Sequence, residues 1–243
     1  MLSIENEKLK SIIQNTNNIV FLGGAGVSTE SNIPDFRSST GLYKTKNNFE
    51  YPPETMLSHS FFIKHPEDFY EFYKAKMIYK SAKPNAAHLA LSELEKLGKL
   101  KAVITQNIDG LHQAAGSINV LELHGSVHRN YCTHCNKFFD LEYILNSSSV
   151  PKCDVCNSIV KPDVVLYEEN LNMDILNKAI SYIQNSEVLI IGGTSLNVYP
   201  AASLIQYFNG NKLILINKST TSFDSKADLV IHESIGKTLK DII

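Results

Sequence analysis

Apolar positions along the chain follow two rhythms. Ile4, Leu9, Ile12 and Ile13 fall at helical spacing within residues 3–15, which predicts an amphipathic helix lying on a sheet edge. Residues 19–22 are apolar at every position, the pattern of a buried strand. Pro66 opens a helix at the position where proline is tolerated, and Phe69, Phe72, Tyr73 and Met77 form a stripe that predicts core packing. Pro84 and Asn85 open the next helix, residues 86–97, which Gly98 stops. Further strands are predicted at 102–105, 120–123, 164–166, 188–191 and 213–216. Helices are predicted at 173–183 and 200–208, with a short one after Ser234.

Strands that are apolar throughout and alternate with helices predict an α/β fold, a doubly wound parallel sheet covered on both faces. The rhythm fails in two places. Residues 38–53 read as a loop with scattered aromatics, either a mobile lid or a plain surface loop. Residues 126–161 break the alternation and hold all four cysteines.

Composition adds little beyond exclusions. The 243 residues are 43% hydrophobic and 20% charged, as in an ordinary globular protein. A net charge of −2 gives no electrostatic case for nucleic acid or an anionic membrane as partner. There is no secretory h-region and no apolar run of membrane-spanning length, so the expected location is cytoplasmic.

Candidate chemistry begins at residues 23–37, GGAGVSTESNIPDFR, directly after the first strand. A Gly-rich turn lets backbone N–H groups approach a phosphate, and a following helix N-terminus favours an anion. Gly24, Gly26 and Thr29 lack the third glycine of the dinucleotide fingerprint, so on its own the turn fits nucleotide binding or an ordinary strand–helix connection. The cysteines are more specific. Cys132 and Cys135 form one Cys-x-x-Cys pair, Cys153 and Cys156 another, with 17 residues between them. That spacing suits a tetrahedral zinc site. A disulfide pair would need an oxidising compartment, for which no secretory signal speaks. Four thiolates leave no open position on the metal, so the zinc is expected to be structural.

Taken in order, these motifs resemble the sirtuins, NAD-dependent protein lysine deacylases. The run is the Gly-rich turn with Pro34, Asp35, Phe36 and Arg37; then Gln106, Asn107, Ile108 and Asp109; then His124 and Gly125; the two cysteine pairs; and Gly193, Thr194 and Ser195. The resemblance extends from about residue 19 to the C-terminus. It implies a Rossmann-like NAD-binding domain from residues 1–38, 84–125 and 164–243. A smaller inserted domain would combine a lid and helices (39–83) with the zinc segment (126–163). It also implies that NAD is consumed as a co-substrate, giving free lysine, nicotinamide and O-acyl-ADP-ribose.

The same resemblance assigns roles. His124 would be the general base acting on a ribose hydroxyl, a task suited to its near-neutral pKa. Gly24, Ala25, Gly26 and Thr29 would contact the phosphates and adjoining ribose. Asp35, Phe36 and Arg37 would edge the pocket, with Phe36 shielding the reactive carbon. Gln106 and Asn107 would orient the nicotinamide ribose, Asn107 catalytically, while Ile108 and Asp109 line the nicotinamide pocket. Gly193, Thr194, Ser195, Asn217 and the backbone at Ser234 would hold the adenosine half. Thr29 and Ser234 also suit simple turn and capping roles. Acyl-lysine proteins or peptides would be the partners, entering as an extended strand beside Val165 and Val198, with Val165 and Tyr167 lining the acyl-lysine tunnel.

Three departures from the family pattern matter. Gly23 stands where the family has Thr, which loosens the turn. Tyr167, Glu168 and Glu169 replace Phe-Gly-Glu, placing a charge beside the peptide groove and favouring a basic residue near the acyl-lysine. Tyr73 and Lys76 match the Tyr-x-x-Arg of succinyl-preferring members, with Lys for Arg. Lysine neutralises a carboxylate but cannot bind it bidentately. The expectation is a broad deacylase that prefers neutral acyl chains and retains some activity on acidic ones. Rival readings are a mono-ADP-ribosyltransferase using the same pocket, a desuccinylase-type preference, and an NAD-sensing binding protein without turnover. A minimal, bacterial-type monomer is expected.

Overall fold

The structure is a computed structural model that describes residues 3–36, 38, 41–43, 49–197, 201–240 and 242. Among the described residues the strands are β1 (Ile19–Gly23), β2 (Leu100–Thr105), β3 (Val120–Glu122), β4 (Gly125–Cys132), β5 (Phe138–Phe139), β6 (Val160–Val164), β7 (Val188–Gly192), β8 (Lys212–Ile216) and β9 (Leu229–Ile231). Six of them form a parallel sheet in the order β3-β2-β1-β7-β8-β9.

β1 is buried along its whole length because helices cover both faces. Ile19 and Phe21 join a core with helices Ile4–Gln14, Ala86–Lys96 and Ile235–Lys240. Val20 and Leu22 point the other way, into a core with helix Met173–Asn185 and the 3₁₀ segment Ala201–Tyr207. Side chains alternate across a strand, so a sheet filled on both sides needs apolar residues at every position. This is the expected doubly wound parallel sheet. Helix Ile4–Gln14 packs against the edge strand β9.

A second, antiparallel sheet has the order β5-β4-β6. It shares a separate core with helices His59–Lys64, Pro66–Lys76 and Leu141–Asn146, rich in aromatic rings. Phe69 and Tyr73 stack with centroids 5.5 Å apart. Arg129 joins the two sheets, donating to Glu122 of β3 and to Asp163 of β6, each at 2.7 Å.

The pattern reading needs correction at four points. Residues 164–166 are no strand of the parallel sheet: β6 ends at Val164 and belongs to the small sheet. Predicted helix 200–208 is a 3₁₀ segment, Ala201–Tyr207, and residue 200 lies outside the described residues. The turn after β1 leads into two short 3₁₀ segments, Ala25–Val27 and Thr29–Ser31, instead of the N-terminus of an α-helix. Asn32 adopts φ 62° and ends them. Strands β4, β5 and β9 were not predicted. Among the described residues no helix is long and apolar enough to cross a membrane.

Candidate active site

β1 stands where the sheet's strand order reverses: β2 and β3 lie on one side, β7 to β9 on the other. Parallel strands leave a crevice beyond their C-terminal ends at such a point. A cavity of about 770 Å³ opens there. Segments following β1, β2, β3, β7, β8 and β9 all reach it, which gathers residues far apart in sequence.

The Gly-rich turn is held against the β7 turn. Gly26 N–H donates to Gly193 O at 2.8 Å, and a Cβ on Gly26 would lie 2.7 Å from Gly193 Cα. Gly24 is similarly close to Thr194. Gln106 bridges the two turns, its N–H donating to Gly23 O at 3.0 Å and its Nε2 to Thr194 Oγ1 at 3.1 Å. Thr194 N–H donates to Asn217 Oδ1 at 2.9 Å. The Nδ2 of Asn217 is buried on the cavity wall and has no partner among the described residues. An unmatched buried donor beside a large cavity fits a ligand that supplies an acceptor there, as a dinucleotide would.

His124 follows β3. Its Nδ1 lies 2.9 Å from Gln106 O. A carbonyl oxygen only accepts, so Nδ1 carries the proton and Nε2 holds the lone pair. Burial pushes the imidazole pKa below its ordinary value, opposed by the bond to Gln106 O. His124 is therefore neutral near pH 7 and can accept a proton. Gly125 has φ +76°, and a Cβ there would lie 1.8 Å from Asp163 O, so only glycine lets β4 run this close to β6. The close approach allows Val165 N–H to donate to His124 O at 3.0 Å.

Asn107 and Asp109 are linked through Ser28, a residue that motif reading did not single out. Asn107 Nδ2 donates to Ser28 Oγ at 3.0 Å, and Ser28 Oγ donates to Asp109 Oδ2 at 2.7 Å. Leu111 N–H fixes the other Asp109 oxygen at 2.9 Å. Ile108 lines the cavity beside them and packs on the aromatic core of the small sheet.

Other predicted residues fall on the same cavity wall: Ala25, Thr29, Asp35, Phe36, Ser195 and Ser234. Thr29 Oγ1 donates to Gly26 O at 3.0 Å and ties its own turn, while Ser234 Oγ donates to Glu30 Oε1 at 3.2 Å and links the turn after β9 to the 3₁₀ segment Thr29–Ser31. Asp35 accepts from Ser38 N–H at 2.8 Å, and Phe36 meets Tyr43 edge-on. Val165, Tyr167 and Lys76 line the opposite wall, where the hydroxyls of Tyr43 and Tyr167 touch. Tyr73 does not line the cavity. It is fully buried in the aromatic core, because its helix turns that face inward. Arg37 and Val198 lie outside the described residues.

The four cysteine sulfurs lie within 4.8 Å of one another. Cys132 Sγ is 3.3 Å from Cys156 Sγ, and Cys135 Sγ is 3.5 Å from Cys153 Sγ. A tetrahedral zinc with sulfur at about 2.3 Å needs sulfur separations near 3.8 Å, so the donors fit. Asn136 and Asn157, each just after a pair, take φ 58° and 60°. Each closes its turn by donating N–H to the carbonyl of the first cysteine of its pair, at 3.1 and 2.9 Å, and the N–H groups of His134, Cys135 and Val155 face Cys132 and Cys153 Sγ at 3.4 Å.

A sequence model described as "Sir2 family" matches residues 24–200. The "NAD-dependent protein deacetylase" of Clostridium tetani is 70% identical over 98% of this chain and 96% of its own length. That of Cutibacterium acnes is 50% identical over 97% of this chain and 96% of its own. A solved Sir2 protein with a deacetylated p53 peptide and 3′-O-acetyl ADP-ribose has a TM-score of 0.89 at 41% identity, covering 97% of this chain and 96% of that one. Another, with a p53 peptide and NAD+, gives 0.84 at 41% identity over the same shares.

Proposed function

The chain belongs to the Sir2 family, the sirtuins, and from that premise we propose that it is an NAD-dependent protein lysine deacetylase. NAD supplies the activated glycosidic bond to nicotinamide, and the products are free lysine, nicotinamide and O-acyl-ADP-ribose. The observation that carries the reading is His124. Its tautomer is fixed, its Nε2 has no hydrogen-bond partner among the described residues, and it shares one cavity wall with Asn107 and Asp109.

In this reading Nε2 of His124 takes the proton of a ribose hydroxyl. Gln106 and Asn107 orient that ribose. Asp109 accepts from the nicotinamide carboxamide, with Ile108 as the apolar wall. The turn at Gly24, Ala25, Gly26 and Thr29 lines the diphosphate position, with the N–H groups of Gly24 and Gly26 spent on holding it to β7 and the turn after it. Gly193, Thr194, Ser195, Asn217 and Ser234 take the adenosine half. Phe36 keeps water from the reacting carbon, with Asp35 at the same edge. The peptide lies beside Val165 and Tyr167. Cys132, Cys135, Cys153 and Cys156 hold one zinc that keeps the small sheet together and takes no part in the chemistry. The division into residues 1–38, 84–125 and 164–243 against 39–83 and 126–163 belongs to this reading, as do cytoplasmic location and a monomeric state.

The test is nicotinamide release from NAD with and without an acetyl-lysine peptide, in wild type and His124→Ala. Peptide-dependent release, with deacetylated product lost in the variant, is expected. Transfer of labelled ADP-ribose to protein without loss of an acyl group would favour the transferase reading. NAD binding without release on any acyl peptide would favour a sensor.

Acyl preference is a finer reading. Lys76 lines the cavity and Tyr73 does not, so a single flexible ammonium stands where an acidic acyl chain would need a matched pair. Neutral acyl chains are preferred and acidic ones turn over slowly. Rates on acetyl-, crotonyl- and succinyl-lysine peptides decide this, and succinyl dominance would refute it.

A further inference from the structure

Leu166 to Glu169 form a tight turn, closed by Glu169 N–H donating to Leu166 O at 3.0 Å. Glu168, third in that turn, has φ +74°. That left-handed conformation suits glycine and strains a residue with a Cβ. Strain of this kind persists where surrounding structure fixes it, and it gathers at functional positions.

What fixes Glu168 is Ser60. The backbone N–H and hydroxyl of Ser60 both donate to Glu168 Oε2, at 2.9 and 2.6 Å. These two bonds, aided by nearby His59 and Lys64, hold the carboxyl below its usual pKa, so it is ionised near neutral pH. The neighbouring backbone is anchored to the same segment: Tyr167 N–H donates to Leu57 O and His59 N–H to Tyr167 O, both at 3.0 Å. A normally mobile surface carboxylate is thereby held in one orientation.

Only Oε2 is used. Among the described residues, Glu168 Oε1 has no hydrogen bond and no cation lies within ion-pair distance of either oxygen. The neighbouring acid differs. Glu169 is taken by His59 at 2.8 Å, by Lys161 at 3.0 Å and by Leu166 N–H at 3.0 Å. Glu168 therefore presents a fixed, half-satisfied negative charge on the rim of the cavity, next to Tyr167 and two residues along from Leu166.

We propose that Glu168 is a specificity-determining residue that selects peptides carrying a basic side chain beside the acyl-lysine. This rests on the reading of the cavity as an acyl-lysine peptide site. Orientation by Ser60 removes much of the side-chain entropy that usually weakens an exposed ion pair. The pair still faces water, so discrimination is modest and salt-sensitive.

The test uses one acetyl-lysine peptide with Arg, Gln or Glu at each position flanking the acetyl-lysine. kcat/KM is measured by nicotinamide release, and Kd by anisotropy of the same peptides with a fluorophore. On at least one flank, wild type should prefer Arg over Gln by about two- to fivefold in low salt, less in 0.5 M salt. Glu168→Gln keeps an oxygen for Ser60 to donate to and removes the charge, so the Arg-to-Gln ratio should fall to about one. Glu168→Lys should invert the preference. Equal ratios in wild type and Glu168→Gln, in both assays, would overturn the proposal. Failure of every peptide to turn over would strike at the deacetylase reading instead, and the Kd ratios would still decide the role of Glu168.

Discussion

The Nδ1 of His124 lies 2.9 Å from the carbonyl oxygen of Gln106, which reserves Nε2 as the basic atom. One strand end thereby sets the protonation of a residue on the next. Burial lowers the pKa below the ordinary histidine value. The base must be neutral to work, so activity is present above that lowered pKa and lost as pH falls through it. The acid limb of kcat/KM should lie below pH 6.5, the usual histidine midpoint. His124→Ala should lower deacetylation by about 10² to 10⁴. An acid limb above 6.5, or a fully active Ala variant, would remove His124 from the role.

Ser28 is a positioning residue whose removal affects two others. Its hydroxyl accepts from Asn107 and donates to Asp109. Ser28→Ala leaves both without that partner in a buried site. A roughly ten- to hundredfold fall in kcat is expected, with peptide KM changing much less and the melting temperature within about 3 °C of wild type. A fall confined to KM would show that the bridge serves peptide binding instead. Nicotinamide release at saturating and limiting peptide separates the two.

The sequence patterns expose the parallel sheet and not the small one, for a physical reason. Strands β1, β7 and β8 are buried on both faces, so nearly every residue is apolar and the runs stand out. β6 reads Val-Lys-Pro-Asp-Val, half solvated and interrupted by proline, while the apolar triplet at 164–166 looked more like a strand than the segment that forms one. The motif residues were legible because they fall at strand ends. Ser28 and Glu30 were not. Ser28 finds Asp109 across 81 positions, and Glu30 accepts from Gly236 N–H across 206, at 2.8 Å. In the sequence such residues look like ordinary turn formers. Tyr73 failed the other way: a motif spacing placed it at the substrate, and its helix phase places it in the core.

His88 and His112 make the fold sensitive to acid. Both are buried, with ring centroids 4.7 Å apart. Burial drives their pKa values down, to about 4 and about 3. The unfolded chain takes up these protons near pH 6.5 and the folded chain only far lower, so stability rises with pH across this window. It is lost as pH falls from about 6.5 towards 4. Urea midpoints should drop steadily over that range, and His112→Phe should flatten the slope. An unchanged slope in the variant would place the acid sensitivity elsewhere.

The cysteine cluster makes metal removal a structural event. Elemental analysis should give one zinc per chain. Chelation, or Cys153→Ser, should lower the melting temperature by roughly 10 °C or more. Nicotinamide release should fall with it, because the small sheet carries Val164 beside the segment that lines the cavity. Added zinc should restore the chelated wild type and not the variant. Full activity and unchanged melting after complete metal loss would contradict the structural role.

Glu168 allows the strain in the turn to be separated from the contact that maintains it. Glu168→Ala keeps a Cβ at φ +74° and loses both bonds from Ser60. Glu168→Gly loses the same bonds but relieves the backbone, at the cost of a more flexible unfolded chain. The Ala variant should therefore melt below wild type, and the Gly variant above the Ala variant, by about 2–4 °C. Ser60→Ala should approach Glu168→Ala in stability, since the hydroxyl contributes the shorter of the two bonds. Adding Ser60→Ala to Glu168→Gly should then cost little more, because the partner is already gone. If Gly and Ala at 168 melt together, the left-handed turn is not a source of strain, and the reason this chain keeps a carboxylate there would have to lie in peptide recognition alone.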